Sequence, residues 1–184
     1  MKKAALFDFD GTLFGTSDIN YASYAQALKE VGVDFERDYF DKQCDGRNYR
    51  EFIPSLVNKD EEIMERVHKR KQQLYTENLS KAKVNEHLFN IIDALKEKYT
   101  VAIVTTASRK CVNEMLKATG KEGVFDLLIC GDDVTKFKPD PECYLIAMEK
   151  IGVKPEDTIV FEDSQYGIEA GIASGASVYA VKNF

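Results

Sequence analysis

The chain has 184 residues, 44% of them hydrophobic and 30% charged, which suits a globular core domain with room for an insertion. Its formal net charge of −6 excludes a broadly basic nucleic-acid-binding surface, and no run approaches the ~18 apolar residues of a membrane span. Cys44, Cys111, Cys130 and Cys143 form no Cys-x-x-Cys pair, and His68 and His87 stand far from them in sequence, so no Cys/His zinc site is expected.

The elements follow in chain order. Residues 3–9 (KAALFDF) are an apolar run closed by Gly11, the pattern of a buried strand. The run is also too short before Asp8 to serve as a signal peptide, and with free thiols this gives a cytoplasmic expectation. Tyr21, Tyr24, Ala25, Leu28 and Val31 recur at helical spacing between a Ser17 cap and a Gly32 stop. Residues 34–58 read as irregular to helical with Pro54 as a break, and 60–81 as a charged helix with a thin stripe of Ile63, Val67 and Leu74. His68 and His87, in charged helical stretches, are expected to be exposed.

From residue 85 the pattern changes. Helices are expected at 85–99 (capped by Asn85), 108–120 (capped by Ser108), 139–152 and 164–176, alternating with strands at 100–106, 125–131, 157–163 and 177–181. Such alternation marks an α/β fold: a Rossmann-like, doubly wound parallel sheet. The core is expected to comprise residues 1–14 and 82–184, with residues 15–81 as an inserted all-helical domain.

Ligands of open parallel sheets bind beyond the carboxyl ends of the strands. Those ends carry Asp8, Asp10 and Thr12 after the first strand, and Thr105 and Thr106 after the second core strand. Lys138 follows the third, and Glu162, Asp163 and Ser164 the fourth. Gathered carboxylates repel unless a positive charge sits among them. A hard divalent ion such as Mg2+ meets that need and completes its shell with water and phosphate oxygens. Lys138 adds a second positive charge, Thr105 a hydrogen-bond donor, and a carboxylate can serve as nucleophile.

With these residues in place, the chain resembles the haloacid dehalogenase-like hydrolases. AALFDFDGTLF is similar to their first motif, IVTTAS to the second, Lys138 in KPDP to the third and FEDSQYGIEAG to the fourth. The match runs end to end and is nearest the small-helical-cap subfamily of beta-phosphoglucomutase and the sugar-phosphate and phosphoglycolate phosphatases. The resemblance implies that Asp8 attacks phosphorus and that Asp10 acts as acid and then base. It implies that Thr105 and Lys138 hold the transferring phosphate. It also implies that Asp8, the Asp10 backbone carbonyl, Asp163 and Glu162 hold Mg2+.

Candidate substrate-binding residues are Thr12, Asn20, Arg47, Tyr49, Arg50 and Thr106. Departures from the family pattern are Gly15 after the first motif, Thr106 where Asn is common, Val84-Asn85 where Pro-Gly is common, and Asn20 where the mutase-like proteins carry histidine. The expected activity is hydrolysis of a small phosphorylated metabolite by a monomer or weak dimer, with neither nucleic acid nor membrane as partner. The alternatives are a phosphosugar mutase and a non-hydrolytic phospho-acceptor signalling module.

Overall fold

The computed structural model describes residues 2–45 and 47–182. The chain divides into two compact units: one comprises the residues up to Gly15 together with those from Lys83 on, and the other comprises Thr16–Ala82.

The first unit is built on a parallel sheet. Its strands are β1 (Ala4–Phe7), β4 (Thr100–Val104), β5 (Leu127–Ile129), β6 (Thr158–Glu162) and β7 (Ser177–Ala180), in the spatial order β5-β4-β1-β6-β7. All four pairings are parallel, with Phe7 in register with Ile103 on one side and Phe161 on the other. β1 is central, which is why its four residues are apolar without alternation and fully buried.

Alternate residues serve opposite faces. Ala4, Leu6, Ala102, Val104 and Val160 pack with Tyr144, Ala147, Met148 and Ile151 of helix α7 (Glu142–Ile151) and Ala170 of helix α8 (Gln165–Ala173). On the other face Phe7 stacks on Phe161 (4.6 Å between ring centroids) and meets Phe125 edge-on, and Phe125 meets Phe89 of helix α5 (Glu86–Leu95). Helix α6 (Arg109–Ala118) links β4 to β5. The chain winds outward from β1 to β4 and β5, then returns to β6 and β7. The order therefore reverses beside β1, the kind of switch point at which open parallel sheets favour ligands.

Two short strands, β2 (Phe14–Gly15) and β3 (Lys83–Val84), pair antiparallel where the chain leaves this unit and where it returns. Asn85 secures the return: its side chain caps α5 through the Leu88 N–H and donates to the Thr12 carbonyl at 3.0 Å.

The second unit is helical: α1 (Ser17–Lys29), α2 (Arg37–Gln43), α3 (Tyr49–Leu56) and α4 (Glu61–Glu77). Tyr24, Leu28, Phe35, Phe40, Phe52, Ile53, Val67 and Leu74 form its core.

Several elements differ from the sequence reading. Residues 34–58 hold two defined helices, and Pro54 lies inside α3 instead of ending it. The capping box of Asn48 and Glu51 and the burial of Phe52 and Ile53 offset the backbone bond that proline forgoes. Helix α4 stops at Glu77, because the Asn78 side chain turns back onto the Leu74 carbonyl. Helix α5 stops at Leu95 and α7 starts at Glu142, with the KPDP stretch before it outside the helix. Thr16, not Ser17, occupies the N-cap position of α1. His68 is half-buried, its ring stacked on Tyr49 at 3.6 Å. No helix among the described residues is long and apolar enough to cross a membrane.

Candidate active site

The end of β1 passes straight into a tight turn. The Gly11 N–H donates to the Phe14 carbonyl at 2.7 Å and the Leu13 N–H to the Phe9 carbonyl at 3.0 Å. Gly11 has φ +87, a conformation glycine adopts at no steric cost, and a Cβ there would lie 2.0 Å from Asp163 Oδ2. The glycine of the DFDGT stretch thus serves both the turn and the close approach of the Asp163 carboxylate.

Beyond the strand ends, the sheet unit gathers Asp8, Lys138, Glu162 and Asp163. Lys138 is 1% exposed. Its ammonium donates to Asp8 Oδ1 at 2.7 Å, Glu162 Oε1 at 2.6 Å and the Val104 carbonyl at 3.1 Å, which uses all three of its protons. Burial acts to lower the Lys138 pKa, but Asp8 and Glu162 outweigh it and hold the group well above its usual range. Asp8 moves up as well. Burial is the main cause, and the charges of Glu162 and Asp163 add to it, with Lys138 opposing. Carboxylates of Asp8, Glu162 and Asp163 offer oxygens within 4.8 Å of one another. Three acids around one ammonium leave negative charge in excess, and hard oxygen donors of this kind fit a divalent cation.

Glu162 is fully buried and its oxygens are heavily engaged. Oε1 accepts from Lys138 and from the Tyr144 hydroxyl (3.1 Å). Oε2 accepts from the backbone N–H groups of Asp163 and Ser164 and from the Ser164 hydroxyl. Five donors on one carboxylate make it an anchor for Lys138 and for the start of α8. Gly167 lets it sit there, since a Cβ at 167 would fall 1.7 Å from Oε1.

Thr12 is fully buried and gives its hydroxyl to Asp163 Oδ1 at 2.9 Å. That bond ties Thr12 to a carboxylate of the acid group. Asp10 is half-buried in the turn, in a bridge with Phe14. Thr105 is buried at the end of β4, with its hydroxyl oxygen accepting from the Ala107 N–H at 3.1 Å, and Thr106 beside it is half-buried. Asp132 and Asp133 clamp the loop after β5: Asp132 accepts from the Arg109 N–H at 2.6 Å, and Asp133 takes the Arg109 guanidinium and the Cys130 N–H.

The remaining candidates lie in the helical unit. Asn20 accepts from the Lys71 ammonium at 2.7 Å and donates to Thr16 Oγ1. Arg47 donates to the Gln43 carbonyl and lies 3.7 Å from Glu51. Tyr49 is buried, with its hydroxyl on Glu65, and Arg50 lies 5.0 Å from the Tyr49 ring centroid. Two residues were missed by sequence reasoning. Lys71 is buried against the rings of Tyr24 and Tyr75; the available signal was a lysine standing within the Val67–Leu74 stripe. Tyr144 lies on the buried face of α7, and nothing in its neighbours' sequence distinguishes its hydroxyl from a phenylalanine's hydrogen.

A family model described as haloacid dehalogenase-like hydrolase matches residues 5–181. The chain is similar to a phosphorylated carbohydrates phosphatase of Thermotoga maritima, at 32% identity over 187 residues, spanning 97% of this chain and 85% of the relative. It is similar to the pyrophosphatase PpaX of Bacillus velezensis, also at 32% identity, over 97% of this chain and 82% of the relative. In fold it matches the crystal structure of CbbY from Rhodobacter sphaeroides in complex with phosphate, with a TM-score of 0.89 at 24% identity over 100% of this chain and 88% of that one. The chain belongs to the haloacid dehalogenase-like hydrolases and is a phosphatase-type enzyme of that family.

Proposed function

We propose that the protein is a Mg2+-dependent phosphatase of a small phosphomonoester, of the sugar-phosphate kind, working through an aspartyl phosphate on Asp8. The observation that carries this reading is the buried Asp8–Lys138–Glu162 cluster with Asp163 beside it, at the carboxyl ends of β1 and β6. The name of the Thermotoga maritima relative supports a phosphorylated carbohydrate as substrate class.

An Asp8 carboxylate oxygen attacks phosphorus as the bond to the leaving oxygen breaks, and Asp10 delivers a proton to that oxygen. Asp10 then takes a proton from water, whose oxygen attacks the phosphorus of the aspartyl phosphate; phosphate leaves and the Asp8 carboxylate is regenerated. Lys138 balances charge on Asp8 and the phosphoryl oxygens, and Thr105 donates to one of those oxygens. Asp8, the Asp10 backbone carbonyl and Asp163 would hold Mg2+, which supplies positive charge against the phosphoryl group. Glu162, saturated by its five donors, keeps Lys138 in place. Asn20, Arg47, Tyr49 and Arg50 are assigned to substrate choice.

The test is phosphate release from a panel of small phosphomonoesters and pyrophosphate, with and without Mg2+, using Asp8→Asn as control. Multiple turnover on a few sugar phosphates, abolished by EDTA and by Asp8→Asn, is expected. Undiminished turnover by Asp8→Asn would remove the nucleophile assignment, and isomerised sugar phosphate without free phosphate would favour a mutase.

A further inference from the structure

The cluster around Lys138 contains one polar group that the proposed reaction leaves without a task, the Tyr144 hydroxyl. Tyr144 is fully buried in the core between α7 and the sheet. A hydroxyl in such a place costs free energy unless it is bonded, and a phenylalanine would fill the same volume. Among the described residues its one hydrogen bond goes to Glu162 Oε1, at 3.1 Å. That is the same oxygen that accepts from Lys138 at 2.6 Å. The Tyr144 ring also flanks the ammonium, 5.1 Å from ring centroid to Nζ.

We infer that Tyr144 is a positioning residue for the phosphoryl-transfer chemistry, its hydroxyl sharing Glu162 Oε1 with Lys138 and so keeping the ammonium centred between Glu162 and Asp8. The ammonium divides its protons among Asp8, Glu162 and Val104. With the hydroxyl present, Oε1 is already partly satisfied and pulls less strongly on Lys138. Without it, Oε1 keeps only the ammonium, the Lys138–Glu162 contact tightens and the bond to Asp8 lengthens. Asp8 then faces the incoming phosphorus with less of its charge balanced. The Tyr144 hydroxyl donates to neither the nucleophile nor Lys138 and reaches the reacting groups through Glu162 Oε1. Its loss therefore acts on the chemical step and not on substrate affinity.

This inference rests on the phosphatase reading, and two measurements on full-length protein keep the two apart. The first is steady-state hydrolysis, with Mg2+, of a phosphomonoester that the wild type turns over. Tyr144→Phe, which keeps the ring, is expected to lower kcat about three- to tenfold, the worth of one buried hydrogen bond, with KM unchanged. In a Glu162→Gln background the same substitution should cost far less, because its route to Lys138 is already altered. The second measurement is independent of turnover. The Lys138 15Nζ signal is observed by NMR in lysine-labelled protein and assigned by its loss in Lys138→Arg. Tyr144→Phe is expected to shift it.

A Tyr144→Phe protein with wild-type kcat, or with an unmoved Lys138 signal, overturns the positioning role. So does a kcat loss that is undiminished in the Glu162→Gln background. A shifted signal in a protein that hydrolyses no phosphomonoester refutes the phosphatase reading and leaves Tyr144 as the residue that positions Lys138.

Discussion

Replacing Gly167 by alanine tests the site through a single carbon atom. Gly167 lies in the first turn of α8, where alanine normally stabilises a helix by ~1 kcal/mol relative to glycine. Here the added Cβ would lie 1.7 Å from Glu162 Oε1, 1.9 Å from its Cδ and 2.3 Å from Oε2. The carboxylate has no solvent to retreat into, being 0% exposed. Moving it forfeits at least one hydrogen bond to a charged acceptor, ~1.5–3 kcal/mol, and shifting α8 instead incurs overpacking of ~1–3 kcal/mol. With the helix gain subtracted from either route, the net loss is roughly 1–2 kcal/mol, or a fall of ~2–8 °C in melting temperature for a chain of this size. Activity should fall with it, because Lys138 takes its position from Glu162. Gly171→Ala in the same helix is the comparison: its Cβ meets the Val178 side chain at 2.8 Å and no polar group of the cluster. It should cost less stability and leave turnover nearly intact. Thermal unfolding by circular dichroism and phosphate release measure both effects. A Gly167→Ala protein that melts at or above the wild type would refute the reasoning, since propensity would then have outweighed the clash.

Further outcomes are expected elsewhere. Thr12→Val keeps shape and burial but removes the bond to Asp163; the Mg2+ concentration for half-maximal activity should rise about tenfold or more, and an unchanged Mg2+ requirement would dissociate Asp163 from metal binding. Burial pushes the thiols of Cys44 and Cys130 up to about 12 and that of Cys143 to about 11. Their thiolates are therefore scarce at pH 8.5, and a thiol reagent should label them far more slowly in native than in urea-unfolded protein. Because these folded-state values lie above the unfolded one, the stability they contribute is complete below about pH 9 and lost as pH rises towards 12. Urea titrations at pH 8 and pH 10.5 measure that loss, and equal midpoints would count against it.

Much of the sheet unit was legible because its signals are local. A short unbroken apolar run such as AALF, closed by Gly11, reads as a strand buried on both faces, and the switch from sparse helical stripes to alternating strands and helices after residue 85 marks where the sheet resumes. Asp8, Lys138, Glu162 and Asp163 were legible as a group because a parallel sheet delivers the carboxyl end of every strand to one edge. The helical unit was harder to read. Pro54 argued against a helix that a capping box and two buried side chains nevertheless stabilise, and the half-burial of His68 depends on Tyr49, which lies 19 positions away along the chain.

The amino-acid sequence by itself determined the α/β alternation, the turn at Gly11 and the residue types available at the strand ends. These follow from periodicity, backbone sterics and side-chain chemistry, all of which act between near neighbours. Only the tertiary structure decided which donors reach each carboxylate. Thr12 was a hydroxyl of no stated partner until folding brought Asp163 within 2.9 Å of it, from 151 positions away. Glu162 was one acid among several at the strand ends until Lys138, Tyr144 and the start of α8 brought their donors to its oxygens. A buried carboxylate's role is set by which donors reach its oxygens, and those donors come from segments that meet only when the chain folds.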